Sequence, residues 1–292
     1  MQIKDSWILS TLLENTADSI YIKDRKCRLW LVSKKMALTL NVDDPAEIYG
    51  KTDIELFGEE FGGKTMQDDL DVINKGEPLI GIVERRIRKD GGTNWTSTTK
   101  FPLRNEEGEI IGLLGITREI NELKDTETQL KWLATHDPLT SLANRYLLSD
   151  RVEQAIHRAK RNKGLFAILF VDLNGFKAIN DTAGHDVGDQ YLMRVAQILV
   201  ENVRSTDTVA RIGGDEFVVL IDELQHPEIA AKVAKKLSQS ITQETDPIEN
   251  LVSASIGISL FPHDGLDFDS LLRAADFAMF QAKKENVDYK FS

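Results

Sequence analysis

Cysteine is almost absent. Cys27 is the single cysteine in 292 residues, so no internal disulfide can form, and a reducing, cytoplasmic setting is the expectation. Its neighbours Lys26 and Arg28 read either as a thiolate-activating pair or as an ordinary solvated strand edge. Long apolar runs are missing too. No stretch approaches the ~20 residues of a membrane span, and Lys4, Asp5 and Glu14 interrupt the N-terminal apolar residues, which leaves no signal-peptide pattern. Positive charge is scarce: 36 Lys and Arg stand against 47 Asp and Glu, a formal charge of -11. That balance disfavours nucleic acid and anionic membrane surfaces as partners. A phosphorylated substrate would need its charge met locally, by metal ions, backbone N–H groups and a few lysines.

The length exceeds what one compact core usually holds, so two domains are the default. In the first part, Ser6–Asn15 reads as a short amphipathic helix, and Ser19–Asp24 with Arg28–Ser33 as a hairpin about Asp24-Arg25-Lys26. Helical and polar segments run to Gly76. Three strand-like runs follow, Leu79–Lys89, Thr93–Leu103 and Ile110–Thr117, joined by turns at Asp90-Gly91-Gly92 and Asn105-Glu106-Glu107-Gly108. The expectation is an α+β unit with an antiparallel sheet over residues 1–118. Tyr21-Ile22-Lys23-Asp24, Ile48-Tyr49-Gly50-Lys51-Thr52-Asp53 and the closing run Gly108–Ile120 make this segment resemble the PAS family. The resemblance implies a sensor holding a small ligand, whose identity the residues leave open. All five histidines lie at position 136 or beyond, which disfavours histidine-ligated haem there. Cys27, on a strand edge rather than a helix, disfavours flavin photochemistry.

Residues 119–135 read as a helical linker. Ile116, Ile120, Leu123, Leu130 and Ala134 recur at spacings of four and three, with Glu127 at one core-type position. This suits a short parallel coiled coil and a homodimer formed through the sensor and linker. It equally suits a surface helix lying on its own sheet.

The third region, 136–292, carries the chemistry. Leu165–Leu173 is a nearly unbroken apolar run, a buried central strand that ends on Asp172. A carboxylate there either caps the turn through Asn174-Gly175 or joins a site. Asp207–Ile212 and Phe217–Asp222 read as two strands of a hairpin across Gly213-Gly214-Asp215-Glu216. Asp215 and Glu216 alternate in direction, so that Asp172 and Asp215 could converge. Convergent carboxylates suit Mg²⁺, a hard cation that bridges substrate phosphates in two-metal phosphoryl transfer. With helices expected at Asp189–Asn202, Glu228–Thr242 and Asp269–Lys283 and a further strand at Leu251–Phe261, the order suggests a ferredoxin-like, polymerase-palm-like sheet.

His136-Asp137-Pro138-Leu139-Thr140-Ser141-Leu142-Ala143-Asn144-Arg145, the run Asp172–Asp181, Gly184-His185-Asp186-Val187-Gly188-Asp189 and Gly213–Phe217 together resemble the GGDEF family over residues 136–292. The resemblance implies a diguanylate cyclase, which condenses two GTP into cyclic di-GMP and two pyrophosphates with Mg²⁺ or Mn²⁺. It implies metal binding by Asp172, the main-chain carbonyl of Leu173 and Asp215, with Asp215 and Glu216 as the catalytic acids. Asn180 and Asp189 match the guanine-reading positions, and a carboxylate can accept two hydrogen bonds from guanine's N–H edge. Lys177, His185 and Lys283 match other substrate positions, the lysines meeting phosphates. Arg204-Ser205-Thr206-Asp207 matches the product-inhibition motif, with Arg204 and Asp207 as its ligands. Against the pattern, Phe280 replaces a tyrosine, and Asn286, Val287 and Asp288 replace a glycine, a phosphate-contacting arginine and an asparagine. A degenerate domain acting as nucleotide receptor or interaction module is the alternative reading.

Overall fold

The computed structural model describes residues 4–87, 92–244 and 253–292. The expected strand end at Lys89, most of the turn at 90–92 and the expected strand start at Leu251 lie outside them. The chain divides into two compact units, Met1–Thr128 and Gln129–Ser292, a division that falls within the linker helix.

The first unit opens with α1 (Asp5–Asn15), β1 (Ser19–Asp24), β2 (Leu29–Val32) and α2 (Lys34–Thr39). After a 3₁₀ turn at Pro45–Ile48 come α3 (Asp53–Phe57), α4 (Glu59–Lys75), β3 (Leu79–Ile87), β4 (Thr93–Arg104) and β5 (Ile110–Glu119). The five strands pair antiparallel in the order β2-β1-β5-β4-β3. Local chemistry sets the helix starts. Thr52 and Glu55 form a reciprocal capping box on α3, and Ser33 accepts a hydrogen bond from Met36 N at the start of α2. Gly62 is required where α4 crosses α3, because a Cβ there would stand 2.3 Å from the Asp53 carbonyl oxygen. The core gathers Leu29, Val32, Met36, Ile48, Val72 and Leu113 between helices and sheet.

Cys27 fits neither expectation. It is fully buried in a left-handed turn (φ 59°), and burial, followed by the Asp69 charge, pushes its thiol up to about 11. It is a protonated core side chain, neither a solvated strand edge nor an activated thiolate. The linker helix α5 (Asn121–Thr135) has no buried residue, and Leu123 and Leu130 are 64% and 61% exposed. Of the expected heptad positions, Ile116 belongs to β5 and Ile120 precedes the helix, while Leu123, Leu130 and Ala134 on α5 are exposed.

The second unit contains α6 (Arg145–Asn162), β6 (Leu165–Asn174), α7 (Phe176–Ala183), α8 (His185–Glu201), β7 (Thr208–Gly213) and β8 (Glu216–Leu224). It continues with α9 (Pro227–Glu244), β9 (Ser253–Phe261), α10 (Phe268–Glu285) and β10 (Tyr289–Phe291). The sheet order is β10-β9-β6-β8-β7, with β10 parallel to β9 and the other pairs antiparallel. The apolar run of β6 is explained by burial on both faces. Leu169 and Val171 pack in one cluster with Leu192, Val195 and Leu237; Phe166 and Ile168 pack in the other with Leu148 and Met279. Truncating Leu169 to alanine would cost about 2–5 kcal/mol. Three elements were not read from the sequence: α6, α7, cut from α8 by Gly184 at φ 89°, and the three-residue strand β10.

Candidate active site

The site is built at the end of β6 where it meets the β7–β8 hairpin. Register pairs Asp172 with Glu216 on one side and with Ser255 on the other. Residues directly opposite in an antiparallel ladder project to the same face, so the cross-strand neighbour of Asp172 is Glu216, while Asp215 sits in the turn. Leu173 is buried behind them. Asn174 ties the strand end to β9, its Nδ2 donating to Ser253 Oγ at 3.0 Å and Ser255 Oγ at 2.9 Å. This use of Asn174 leaves the neighbouring Asp172 side chain to the site rather than to the turn.

The hairpin is braced from behind. Arg211 on β7 donates to the Gly214 carbonyl at 2.9 and 2.7 Å, and its other nitrogen reaches Asp137 at 3.1 Å. Its backbone N–H donates to Ala143 O at 2.9 Å, so the segment 136–145 is docked on the hairpin edge. Asp137 also accepts from Thr140 N and Thr140 Oγ1 at 2.8 and 2.6 Å. Burial pushes the Asp137 carboxyl up, but the bonds from Thr140 and Arg211 outweigh it and hold the group below the usual carboxylate range.

The electrostatics of the tip run the other way. Burial, then the charges of Asp276, Asp215 and Asp172, pushes the Glu216 carboxyl above its ordinary value, against an opposing Arg145. Four carboxylates therefore share one neighbourhood. Lys283, two turns along α10 from Asp276 and on the same helix face, ion-pairs with Asp172. Among the described residues, no three His, Cys, Asp or Glu side chains stand close enough together to hold a metal ion by themselves. The oxygen-only donors and the mutual repulsion at Glu216 nonetheless fit a hard divalent cation better than an empty cluster.

A second group of expected residues lies on α7 and α8. Asn180 on α7 lies against Gly188 on α8, so closely that a Cβ at Gly188 would fall 1.9 Å from Asn180 Oδ1. Asp189, the next residue along α8, is exposed, as are Lys177 and His185. Gly184, at φ 89°, makes the sharp turn that brings the two helices together.

Arg204 and Asp207 close a tight turn before β7. The Asp207 carboxylate accepts from Arg204 N at 2.9 Å and Asp222 N at 3.2 Å, and its own N–H donates to Arg204 O at 3.0 Å. Burial raises its carboxyl while those N–H groups oppose the rise. The Arg204 side chain stays exposed at a groove of about 320 Å³ that Lys232 and Lys236 also line. At the far end of α10, Asn286 adopts the left-handed conformation (φ 54°) that suits the family's glycine, and Val287 is 44% exposed. Sequence reading missed Asp276, Arg145 and Arg211; the two-turn offset of Asp276 from Lys283 was the available signal for the first.

Residues 134–288 match the family model described as the diguanylate cyclase GGDEF domain. The chain belongs to that family. Residues 13–125 match the PAS fold, so the order is PAS then GGDEF. MucR of Pseudomonas aeruginosa, a bifunctional diguanylate cyclase/cyclic di-GMP phosphodiesterase, is 51% identical over 159 residues, 54% of this chain and 23% of MucR. A diguanylate cyclase of Vibrio cholerae serotype O1 is 29% identical over 270 residues, 91% of this chain and 83% of the relative. Among solved structures, a fragment of PA1120 (TpbB or YfiN) from Pseudomonas aeruginosa comprising only the GGDEF domain is 34% identical. It covers 53% of this chain and 93% of that one, with a TM-score of 0.50. The chain thus spans less than a quarter of MucR's length but most of the Vibrio relative's. None of the helices described is long and apolar enough to cross a membrane.

Proposed function

We propose that this chain is a diguanylate cyclase that condenses two GTP into cyclic di-GMP and two pyrophosphates in the cytoplasm, under control of its PAS unit. The observation that carries the reading is the approach of Asp172 and Asp276 to Glu216 and Asp215 of the β7–β8 hairpin, together with the packing of Asn180 on Gly188, the residue before Asp189. Asp172, Asp215 and the Leu173 carbonyl would hold Mg²⁺ or Mn²⁺, which when bound neutralises charge on the reacting phosphates. Asp189 and Asn180 would grip the guanine edge, which favours GTP over ATP because adenine lacks that pair of donors. Lys177, His185 and Lys283 would orient the triphosphate. Each chain would hold one GTP, and two chains brought face to face through PAS units and α5 would let each 3′-hydroxyl attack the partner's α-phosphate. Positioning then supplies most of the rate. Product returning to Arg204 and Asp207 would slow the enzyme.

Phe280 and Val287 favour a second reading, a catalytically weak domain that binds nucleotide as a receptor. Mass spectrometry of products from the purified protein given GTP and Mg²⁺ decides between them. Asp172→Asn or Asp215→Asn should abolish cyclic di-GMP formation with Tm retained; synthesis by either variant at the wild-type rate would remove the metal assignment.

A further inference from the structure

The inner face of the PAS sheet is unusually polar. Ser19, Tyr21 and Lys23 alternate inward on β1, and Thr96, Thr98 and Lys100 do so on β4. They line a cavity of about 70 Å³, room for roughly five waters by that measure. Turning hydroxyls and charges inward costs free energy unless something answers them.

The deep charges answer one another. Lys23 pairs with Asp53 at 2.7 Å and Asp69 at 2.5 Å, and Lys100 pairs with Asp69 at 2.5 Å while donating to Thr65 O at 3.0 Å. Two lysines and two aspartates leave no net charge at that end. Thr98 and Thr117 bond to each other at 3.1 Å. The hydroxyls of Ser19 (7% exposed) and Thr96 (6% exposed) have no hydrogen-bond partner among the described residues, and both line the cavity.

Register explains what surrounds Thr96. It stands directly opposite Glu84 on β3 and directly opposite Glu119 on β5. Directly opposed residues share a face, so the carboxylates of Glu84 and Glu119 flank the unpartnered hydroxyl, carried on strands about 10 Å apart across two strand spacings. Asp68 of α4 adds a third carboxylate to the lining. Their cationic partners are the ammonium ends of Lys64, 3.1 Å from Glu84, and Lys35, 3.1 Å from Glu119; Lys64 is mostly exposed. Those lysines are flexible tethered ammonium groups that a free one can replace. The other wall is apolar, with Met36, Leu40, Phe57 and Leu79.

We propose that this cavity binds a small aliphatic amine, its ammonium group held by Glu84 and Glu119 with Thr96 between them and its carbon chain against the apolar wall. An anionic ligand is disfavoured because the lysines that could meet it are saturated by Asp53 and Asp69. The site reaches the linker within the same unit. Asn94 lines the cavity and its Oδ1 accepts from Asn121 Nδ2 at 2.7 Å, while Asn121 Oδ1 accepts from Trp95 N at 2.6 Å. Asn121 is the first residue of α5, so an occupant touching Asn94 acts on the root of the linker helix.

Calorimetry on the full chain without GTP tests this independently of the cyclase reading, using three probes of one length: 1,4-diaminobutane, 1,4-butanediol and succinate. Only the diamine should bind. Glu84→Gln should weaken it at least about tenfold, whereas Glu106→Gln, an exposed residue outside the lining, should leave it unchanged. Should Glu84→Gln misfold, Thr96→Val supplies the same comparison with the shape kept. Binding of succinate or butanediol as tight as the diamine's overturns the charge assignment. Diamine affinity surviving Glu84→Gln or Thr96→Val places it on the acidic surface, and no diamine binding up to about 10 mM removes the site.

Discussion

Lys283 of α10 is ion-paired with Asp172 at the end of β6, on the carboxylate assigned to metal. The lysine is about half exposed and the aspartate mostly buried, so in the metal-free protein an ammonium shields a charge that a divalent cation would otherwise neutralise. Lys283 and the proposed metal ion would compete for one carboxylate.

Lys283→Gln should therefore tighten Mg²⁺ binding measured without nucleotide, by roughly two- to fivefold given the worth of a partly exposed pair. The same change should raise KM for GTP, because a phosphate-directed charge is lost. Weaker metal binding in the variant would mean that Lys283 supports the metal site instead of competing with it.

Asp137 gives a pH-dependent test of the brace behind the hairpin. Its carboxyl is held below the usual range in the folded protein. Its contribution to stability is then fully present above the unfolded value near ~4 and is lost as pH falls through the still lower folded value. Asp137→Asn should cost about 1–3 kcal/mol at neutral pH, and the difference from wild type should shrink as the pH is lowered below about 4. Catalysis should fall as well, since Arg211 links Asp137 to Gly214. Denaturation midpoints across the acid range read the first effect and kcat/KM the second. A difference constant down to about pH 3 would count against the Asp137–Arg211 bond as its source.

Much of this arrangement could be read from the residues alone, and the exceptions have physical causes. The run Leu165–Leu173 announces a strand because both of its faces are buried, and Gly213–Glu216 announces a hairpin because the turn needs glycine. By contrast, α7 is only eight residues, too short for its pattern to stand out as a helix of its own, and β10 is three residues that pair only with β9. Asp276 and Arg145 look like solvated charges until the fold brings them to Glu216. Glu84 and Thr96 mislead in the opposite sense: polar residues on a half-covered sheet read as outward, yet here they face the cavity. Cys27, flanked by two basic residues, reads as exposed and is not.

Val287 and Asn286 locate the departure from the family pattern. Asn286 takes a left-handed turn and Val287 N donates to Ala282 O at 3.0 Å, so the chain leaves α10 on an ordered path with no side-chain charge at position 287. Val287 is partly exposed, leaving space for a longer side chain. Val287→Arg should raise kcat/KM, by up to about tenfold if the guanidinium contributes ~1.4 kcal/mol to the transition state. A neutral or harmful result would mean that this chain meets the phosphate charge elsewhere, with Lys177 the first place to look.

The Arg204–Asp207 turn has a structural role, and its proposed product-binding role can be tested apart from it. Asp207 is committed to structure through its bonds to the backbone of Arg204 and Asp222, so Asp207→Ala would disturb β7 and β8 together and report little about product. Arg204 differs: its backbone makes the turn, but its exposed guanidinium overlooks the groove shared with Lys232 and Lys236. A guanidinium can grip a phosphate or the guanine acceptor edge in bidentate fashion, and the flanking lysines add charge in an otherwise acidic chain. Arg204→Ala should therefore leave the initial rate and Tm near wild type, relieve inhibition by accumulated cyclic di-GMP, and weaken product binding about 10- to 100-fold in calorimetry without GTP. Inhibition that persists at wild-type strength would place the product elsewhere on the domain and leave Arg204 as a turn residue whose side chain is only solvated.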